Sequence, residues 1–492
     1  MLYVRMGIMM LITLYTSRVV LQNLGVVDYG IYNVVGSVVV MFSFLSITLE
    51  VAIRRFVAVE IGKGGNEIET VFLSSVLAIL IVAAILVIGL ETIGLWFVNN
   101  KLSIPPDRVT AASWAYQFAL STFLFNLLLI PFSATIVAYE HMNAYAFFGI
   151  IDAFLRLFIA LLLKESIFDR LIYYSGLMMT ASIMVAMMNA SYCWFKLLRI
   201  KKWRIKDFSY LKSILKFSGW SVVGSMVYVF TTQGVNMIFN MFWGVTVNAA
   251  IGIANQASGA LGKFTSSFQV AYNPQLTKNY AVEGLSDKTF NFLCRVTKVV
   301  ILLILVLGYS MLCNLDELLH IWLTIVPDYA LEFCVIAIFV VAIEGLAAPL
   351  YILVYAEGNV KLYQIVLSII QLVYISIVYF LCCCGLTPTM VYSINIVCYL
   401  AMYFARFLIL KKIMNFNIWN YIIEIYKPLV LPLIILAVIF LVVTRIELPI
   451  TIINTLLKTS ICAVISVTTM GVLYFSKEEK MYLFNIIKSK LR

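Results

Sequence analysis

Apolar residues fall along this chain in long blocks separated by short polar links. Read at a helical period, the blocks predict helices at residues 4–24, 30–57, 70–97, 109–137, 143–163, 170–195, 214–241, 248–272, 290–314, 330–355, 362–384, 389–410, 428–444 and 456–475. Each is close to the roughly 20 residues an apolar helix needs to cross a bilayer core. The pattern therefore predicts an all-α integral membrane protein of about 14 transmembrane helices.

The links carry a second pattern. Pro131 to Glu140, ending Val-Ala-Tyr139-Glu140 before Asn143, resembles Pro349 to Glu357, with Tyr355 and then Asn359. A polar residue stands five positions before each proline, Asn126 and Glu344. The turn Leu24-Gly25 with Asp28 matches Trp243-Gly244 with Asn248. The offset is about 218 residues in every case, which reads as an internal repeat. Six predicted helices separate the copies, so both point the same way. This predicts two six-helix lobes related by a pseudo-two-fold axis, residues 1–195 and 214–411, with a basic cytoplasmic linker at 196–213 between them. Two further helices and a cytoplasmic tail occupy 412–492. Pro131 and Pro349 are expected to kink their helices.

Composition supports this reading: the chain is 63% hydrophobic and 12% charged, where soluble domains are about a quarter charged. The formal net charge of +11 has no soluble segment long enough to hold a nucleic-acid domain, so it is read as topology rather than as a nucleic-acid partner. With the N-terminus inside, inner links and ends, among them Lys278 to Lys298 and Arg406 to Lys427, collect about 26 of the 35 Lys and Arg, which predicts that both termini are cytoplasmic. The longest basic link, Lys196 to Lys206, is also suited to anionic headgroups. Nine cysteines, including Cys382-Cys383-Cys384, lie mostly in apolar runs and read as buried thiols. His141 and His320 are isolated. No metal site and no cofactor is expected. Gly62-Lys63-Gly64-Gly65 lacks the phosphate-loop spacing, so nothing here binds ATP by that route. No outer link exceeds about 15 residues, which leaves little room for an extramembrane catalytic site. The chain is read as no enzyme.

Charges inside apolar helices cost about 2.5–3.5 kcal/mol each on insertion scales, so each needs a reason. Lys263 lies deep in 248–272, on a face shared with Gly252, Gln256, Gly259, Ser266 and Ser267. Ser221, Ser225, Thr232, Asn236 and Asn240 form a similar stripe in 214–241. Such faces either line a polar cavity or pack on another helix while the lysine snorkels. Arg18 stands near the outer end of the first helix. Arg54 and Arg55 project about 100° apart, so one of the two faces inward. Asp152 and Arg156 are four apart, acid first, and make a self-neutralised intrahelical pair or a contact to cargo or an ion. Glu344 has no opposite charge one turn away. It is either a hydrogen-bonded structural acid or a group that exchanges a proton during transport.

The first hairpin, Ser17-Arg18 through Gly25, Asp28-Tyr29-Gly30 and Tyr32, followed by Arg54-Arg55-Phe56 and Glu60-Ile61-Gly62, resembles the polysaccharide-transporter and O-antigen flippase (Wzx-type) branch. That branch belongs to the multidrug/oligosaccharidyl-lipid/polysaccharide exporter (MOP, MATE-like) superfamily. The resemblance implies an alternating-access flippase of the bacterial inner membrane. Its cargo would be an undecaprenyl-diphosphate-linked oligosaccharide of O-antigen, capsule or exopolysaccharide type. In related precursor flippases, cations on the first, second and eighth helices line the cavity. Arg18, Arg54 or Arg55, and Lys263 stand on those helices here. Membrane lipids, a polysaccharide polymerase and chain-length machinery are the implied partners. The resemblance also raises the expectation of an amphipathic start upstream of residue 1. A diphosphate suits arginine forks, and sugar hydroxyls suit the Ser, Thr, Asn and Gln faces. The alternative is an ion-coupled drug or cation antiporter of the same superfamily, which predicts an acidic, aromatic cavity.

Overall fold

The computed structural model describes residues 2–62, 67–197, 208–323, 325–358, 360–445, 449, 451–476 and 479–481. Among these the chain is almost wholly helical and has no strand. In order, the helices are α1 (Leu2–Val40), α2 (Ser43–Gly62), α3 (Ile68–Gly89), α4 (Leu95–Asn100), α5 (Val109–Ala138), α6 (Met142–Leu162), α7 (Arg170–Tyr192), α8 (Ser209–Trp243) and α9 (Val245–Glu283). They continue as α10 (Asp287–Ile304), α11 (Ser310–Cys313), α12 (Leu315–Trp322), α13 (Ala330–Glu357), α14 (Val360–Cys383), α15 (Pro388–Met414), α16 (Ile418–Ile425), α17 (Val430–Val443) and α18 (Ile452–Leu473). Single π turns, Leu90–Gly94 and Leu305–Tyr309, join α3 to α4 and α10 to α11.

Among the described residues, ten helices are long and apolar enough to cross a membrane, or eleven if the bent pair α16–α17 is one span. α2 is long enough, but Glu50, Arg54, Arg55 and Glu60 crowd its 20 residues. α8 and α9, rich in Ser, Thr, Asn and Gly, are longer still and are not among the ten. The predicted helix 30–57 is two helices in the structure, because the chain breaks at Met41 and Phe42.

The first helix bends at Gly25, which has φ 79° and ψ 171°. Gly244, between α8 and α9, has φ 78° and ψ −169°. The two turn glycines matched in the sequence thus adopt the same conformation, one that requires glycine. Pro131 and Pro349 both lie inside helices, α5 and α13.

By packing, the chain divides into two compact units, residues 1–252 with 375–388, and 253–374 with 389–492. The boundaries fall inside α9 and α14 and at the start of α15. Most of the basic link, residues 198–207, lies outside the described residues, as do residues 63–66.

In unit 1, α5 is the central helix and packs against α7, α2, α1 and α3. Small residues make this close packing feasible: Ala111, Ala112, Ala115 and Ala134 are all buried on it. In the π turn the Leu90 carbonyl accepts from the Leu95 amide, and the buried Tyr116 hydroxyl donates to it as well, at 2.7 Å. At the end of the unit near Gly25, Arg108 bridges two acids. Its guanidinium donates to Asp28 at 2.8 and 2.6 Å and to Asp169 at 2.6 and 3.2 Å. Asp169 also caps α7, accepting from the amides of Leu171 and Ile172. Burial would raise the Asp169 carboxyl, but the Arg108 guanidinium and the two amides outweigh it and hold it below its ordinary value.

In unit 2, α10 packs on α13, and α18 packs on the π turn Leu305–Tyr309. Tyr309 donates to the Leu436 carbonyl at 3.0 Å, tying the π turn to α17. Two lysines are buried in pairs. Lys298, 3% exposed, donates to Glu424 at 2.8 Å and Glu479 at 2.9 Å. Lys458, 9% exposed, donates to Glu317 at 2.6 Å.

Two expectations need correction. The charge count places Lys298 and Arg406 with the inner links; both sit inside helices, buried, Lys298 paired with Glu424 and Glu479 and Arg406 held through Nε by the Tyr363 hydroxyl. Cys383 and Cys384 are exposed rather than buried, since α14 ends at Cys383 and the chain turns there; Cys382 is buried.

Candidate functional site

The polar and charged residues foreseen within the helices fall in both units, and each unit is taken separately. In unit 1, Arg18 is half-buried on α1 and Arg55 is exposed on α2. Arg54 pairs with Glu50 one turn back on its own helix. Arg55, the neighbour about 100° round the helix, is therefore the more accessible of the two. On α6, Arg156 donates to Asp152 at 2.9 Å, the intrahelical pair expected from the four-residue spacing. That guanidinium also acts electrostatically on Tyr32 and Tyr174, whose rings meet edge to face at 5.0 Å between centroids. The polar pair is thus backed by two aromatic hydroxyls.

The stripe on α8 divides along its length. The side chain of Ser221 lies outside the described residues, Ser225 is half-buried, and Thr232 is exposed with its hydroxyl turned back to the Tyr228 carbonyl at 2.8 Å. Asn236 and Asn240 are buried in a shared cluster. Asn236 donates to the Ser37 hydroxyl, and Asn248 donates to the Asn236 side chain at 2.6 Å. Asn240 donates to Asn248 at 2.9 Å and accepts from the Ser103 amide at 2.8 Å. Three asparagines in contact satisfy one another, which allows a polar cluster to be buried. The backbones approach closely beside it. Gly30 lies against the Val245 backbone and Gly252 against the Asn33 side chain, where a Cβ would be 2.8 Å from Nδ2. In this conformation the lower half of the stripe is helix packing.

In unit 2, Lys263 is exposed on α9 and Gln256 half-buried two turns earlier. Ser266 and Ser267 donate back to the Lys263 carbonyl at 3.1 and 2.7 Å. The Ser266 side chain and the Lys263 ammonium are exposed.

Glu344 is exposed on α13, on one face with Tyr351 and Tyr355. No charge lies one turn away on its own helix, as the sequence indicated, but α15 supplies Arg406, which acts on Glu344 electrostatically. Arg406 is 8% exposed and donates through Nε to the Tyr363 hydroxyl at 3.0 Å. Its Nη1 is buried with no hydrogen-bond partner. Tyr355 packs edge to face on both Tyr351, at 5.9 Å, and Tyr363, at 6.1 Å. Sequence reasoning missed Arg406 and Tyr363. The available signal was the one applied to Lys263: Arg406 stands inside the apolar block 389–410.

Among the described residues no cluster of His, Cys, Asp and Glu suits a metal ion. The arrangement offers exposed cations on α2 and α9 and polar faces on α8 and α9, beside helices apolar enough to span a bilayer.

Ten or eleven helices of spanning length and apolarity among the described residues define a multi-pass membrane protein. No family model matches the sequence, and no curated protein matches it. Solved structures do. The "Lipid II flippase MurJ, inward closed conformation" superposes with a TM-score of 0.71 over 95% of this chain and 98% of that one, at 15% identity. An inward-facing multidrug resistance MATE family transporter of the MOP superfamily gives a TM-score of 0.63 over 83% of this chain and 96% of its own, at 13% identity. The MATE multidrug transporter DinF-BH gives 0.54 over 84% and 97%, at 15% identity. The chain has the fold of these transporters.

Proposed function

We propose that the chain is a flippase that moves an undecaprenyl-diphosphate-linked oligosaccharide across the bacterial inner membrane by alternating access. The observation that carries this reading is the set of accessible cations on polar helix faces, in a fold similar to that of a lipid II flippase over 95% of the chain. A diphosphate brings at least two negative charges into the bilayer, and fixed cations offset that cost. Arg18 and Arg55, with Arg54 held in reserve by Glu50, are the phosphate contacts of unit 1, and Lys263 that of unit 2. Gln256, Ser266, Ser225 and Thr232 serve the sugar hydroxyls. α2, α8 and α9 are then spans made polar by function, which brings the total to 14, with both termini cytoplasmic. Surface-polysaccharide polymerase and chain-length machinery would act on the delivered cargo.

The test is the double variant Arg18→Ala/Lys263→Ala, expressed in a strain lacking its own flippase and normalised to the amount in the membrane. Loss of surface polysaccharide with normal accumulation is the expected outcome; wild-type polysaccharide overturns the assignment. The second reading, an ion-coupled drug or cation antiporter, is favoured by the likeness to MATE transporters and by Glu344. Drug resistance conferred without any effect on polysaccharide would establish it instead.

A further inference from the structure

Where α5 gives way to α6, three polar side chains of unit 1 that the transport reading leaves unused stand together. His141 precedes α6, and its Nδ1 lies 2.8 Å from the Tyr192 hydroxyl at the end of α7. The two rings meet edge to face, with centroids 6.0 Å apart. Lys196, in the π turn Cys193–Leu197 that follows α7, holds its ammonium 5.4 Å from the Tyr192 ring centroid. The buried Phe148 of α6 packs edge to face on Tyr192 at 5.6 Å. Tyr192 is therefore held by three contacts, while His141 and Lys196 are exposed. Either tautomer of His141 leaves the pair a donor. If the phenol donates to Nδ1, the imidazole proton sits on Nε2; if Nδ1 donates to the phenol oxygen, the phenol proton remains for a ligand. The ammonium adds charged donors, and a phosphodiester has two non-bridging oxygens to accept both kinds.

We propose that His141, Tyr192 and Lys196 bind the phosphodiester of an anionic phospholipid whose acyl chains lie against α6. Their place along the helices supports this as much as their chemistry does. The two apolar spans concerned run from Asn143 to Glu165 and from Arg170 to Leu197, and α6 packs on α7. His141 thus stands just before one span and Lys196 at the end of the other, the level at which headgroups meet an apolar core. Trp194 and Phe195, both exposed, flank Lys196 as interfacial aromatics do. Below them, Phe147, Phe154 and Phe158 are exposed at helical spacing along α6, an aromatic stripe that suits acyl chains. Basic positions between spans are where anionic headgroups bind. Of the basic run Lys196 to Lys206, Lys196 is the cation that lies among the described residues. That the site faces the cytoplasmic leaflet rests on the topology given with the flippase reading; the site itself needs only the two spans.

The test is lipid titration of the purified full-length protein in detergent, with bound molecules counted by native mass spectrometry. Wild type is expected to retain one phosphatidylglycerol about fivefold more tightly than phosphatidylcholine, the effect of one charge near a membrane surface. Lys196→Gln should weaken phosphatidylglycerol about tenfold, the size of a lost charge-assisted hydrogen bond, and Tyr192→Phe about threefold, while Lys196→Arg keeps the affinity. Lys201→Gln removes the same charge from the basic run and should leave the affinity unchanged. Glu140→Gln removes the exposed carboxylate next to His141 and should not weaken binding. A loss in Lys201→Gln equal to that in Lys196→Gln would show diffuse attraction rather than a site, and overturns the proposal. So do equal affinities for the two lipids, a Tyr192→Phe variant that binds like wild type, weakening by Glu140→Gln, or displacement of the lipid by an equal concentration of inorganic phosphate. Should Lys196→Gln not accumulate, Tyr192→Phe and the comparison of the two lipids decide it. A failed polysaccharide assay with this titration intact rejects the cargo and leaves the lipid site standing.

Discussion

Gly30 offers the sharpest test of how α1 meets the start of α9. A Cβ there would stand 2.8 Å from the Val245 carbonyl carbon, nearer still to its oxygen, and 3.2 Å from the Val245 Cβ. Carbon atoms in good contact are about 3.5–4.0 Å apart, so the backbone at Val245 must retreat by about 0.7–1.2 Å. The neighbours that block this retreat are backbone atoms, which have no rotamer to escape into. Overpacking of this kind costs about 1–3 kcal/mol. Gly-to-Ala in a helix returns up to about 1 kcal/mol of propensity, so the control matters. Gly36, further along the same helix, has nothing within 4 Å of the place a Cβ would occupy. Gly36→Ala keeps the propensity gain without the clash, and the difference between the two variants isolates the contact at about 1–3 kcal/mol.

The chain carries its own reporter for this measurement. Of nine cysteines, all free, Cys383 and Cys384 are exposed, leaving seven buried. With those two changed to Ser, a thiol-reactive dye follows unfolding as the buried thiols appear. Gly30→Ala should melt below wild type and Gly36→Ala at or above it. A thiol placed at Ala249, which is 0% exposed, should react faster in the Gly30→Ala background if the contact opens rather than the whole protein unfolding. Equal melting of the two alanine variants, with no gain in Ala249→Cys reactivity, refutes the close approach.

Other contacts give shorter tests by the same assay. Arg108→Gln leaves Asp28 and Asp169 facing each other; with side chains 15–30% exposed, the loss should be about 1–3 kcal/mol, and it should shrink at low pH as the acids are neutralised. Tyr116→Phe removes one of two donors to the Leu90 carbonyl, the Leu95 amide remaining, and should cost about 0.5–1.5 kcal/mol, whereas Tyr174→Phe, at an edge-to-face contact, should cost less. The Asp169 and Glu479 carboxyls lie below their ordinary values in the folded protein, each because ion pairing and amide bonds outweigh burial. Such groups stabilise fully above the unfolded values of about 3.9 and 4.3 and lose that contribution as pH falls through the lower folded values. Melting should therefore drop between about pH 5 and pH 2, and Asp169→Asn should flatten part of that drop.

Contacts made within one helix were legible in the sequence, and contacts between helices were not. The Asp152–Arg156 pair followed from spacing alone, because a helix puts i and i+4 on one face. Gly25 and Gly244 followed from composition at a turn. Arg406 and Tyr363 are far apart along the chain and meet where α15 reaches α14, in a hydrogen bond of 3.0 Å on which periodicity is silent. The same holds for Lys298 with Glu424 and Glu479. Topology counting then misfiled both cations, since it treats any charge near a helix end as solvent-facing. Hydropathy also underestimates helices that carry polar faces: α2, α8 and α9 are long helices whose composition obscures them.

The repeat can be tested at a position where the two copies differ. Gly358 ends α13 in the left-handed region, with φ 89°. Its counterpart after α5, by the offset of Pro131 and Pro349, is Glu140, with φ 62°. There the helix closes with both bonds expected of a left-handed cap, the His141 amide to the Ile136 carbonyl at 3.1 Å and the Glu140 amide to the Val137 carbonyl at 3.0 Å. A side chain at that φ costs roughly 1–2 kcal/mol relative to glycine, partly offset by the greater freedom of glycine in the unfolded chain. Glu140→Gly should therefore stabilise the protein by about 0.5–1 kcal/mol, while Glu140→Ala, which removes the carboxylate and keeps Cβ, should not. Gly358→Ala should destabilise it by a similar amount. If Glu140→Gly melts no higher than Glu140→Ala, the carboxylate rather than the backbone governs this position, and the correspondence between the two helix ends loses its physical basis.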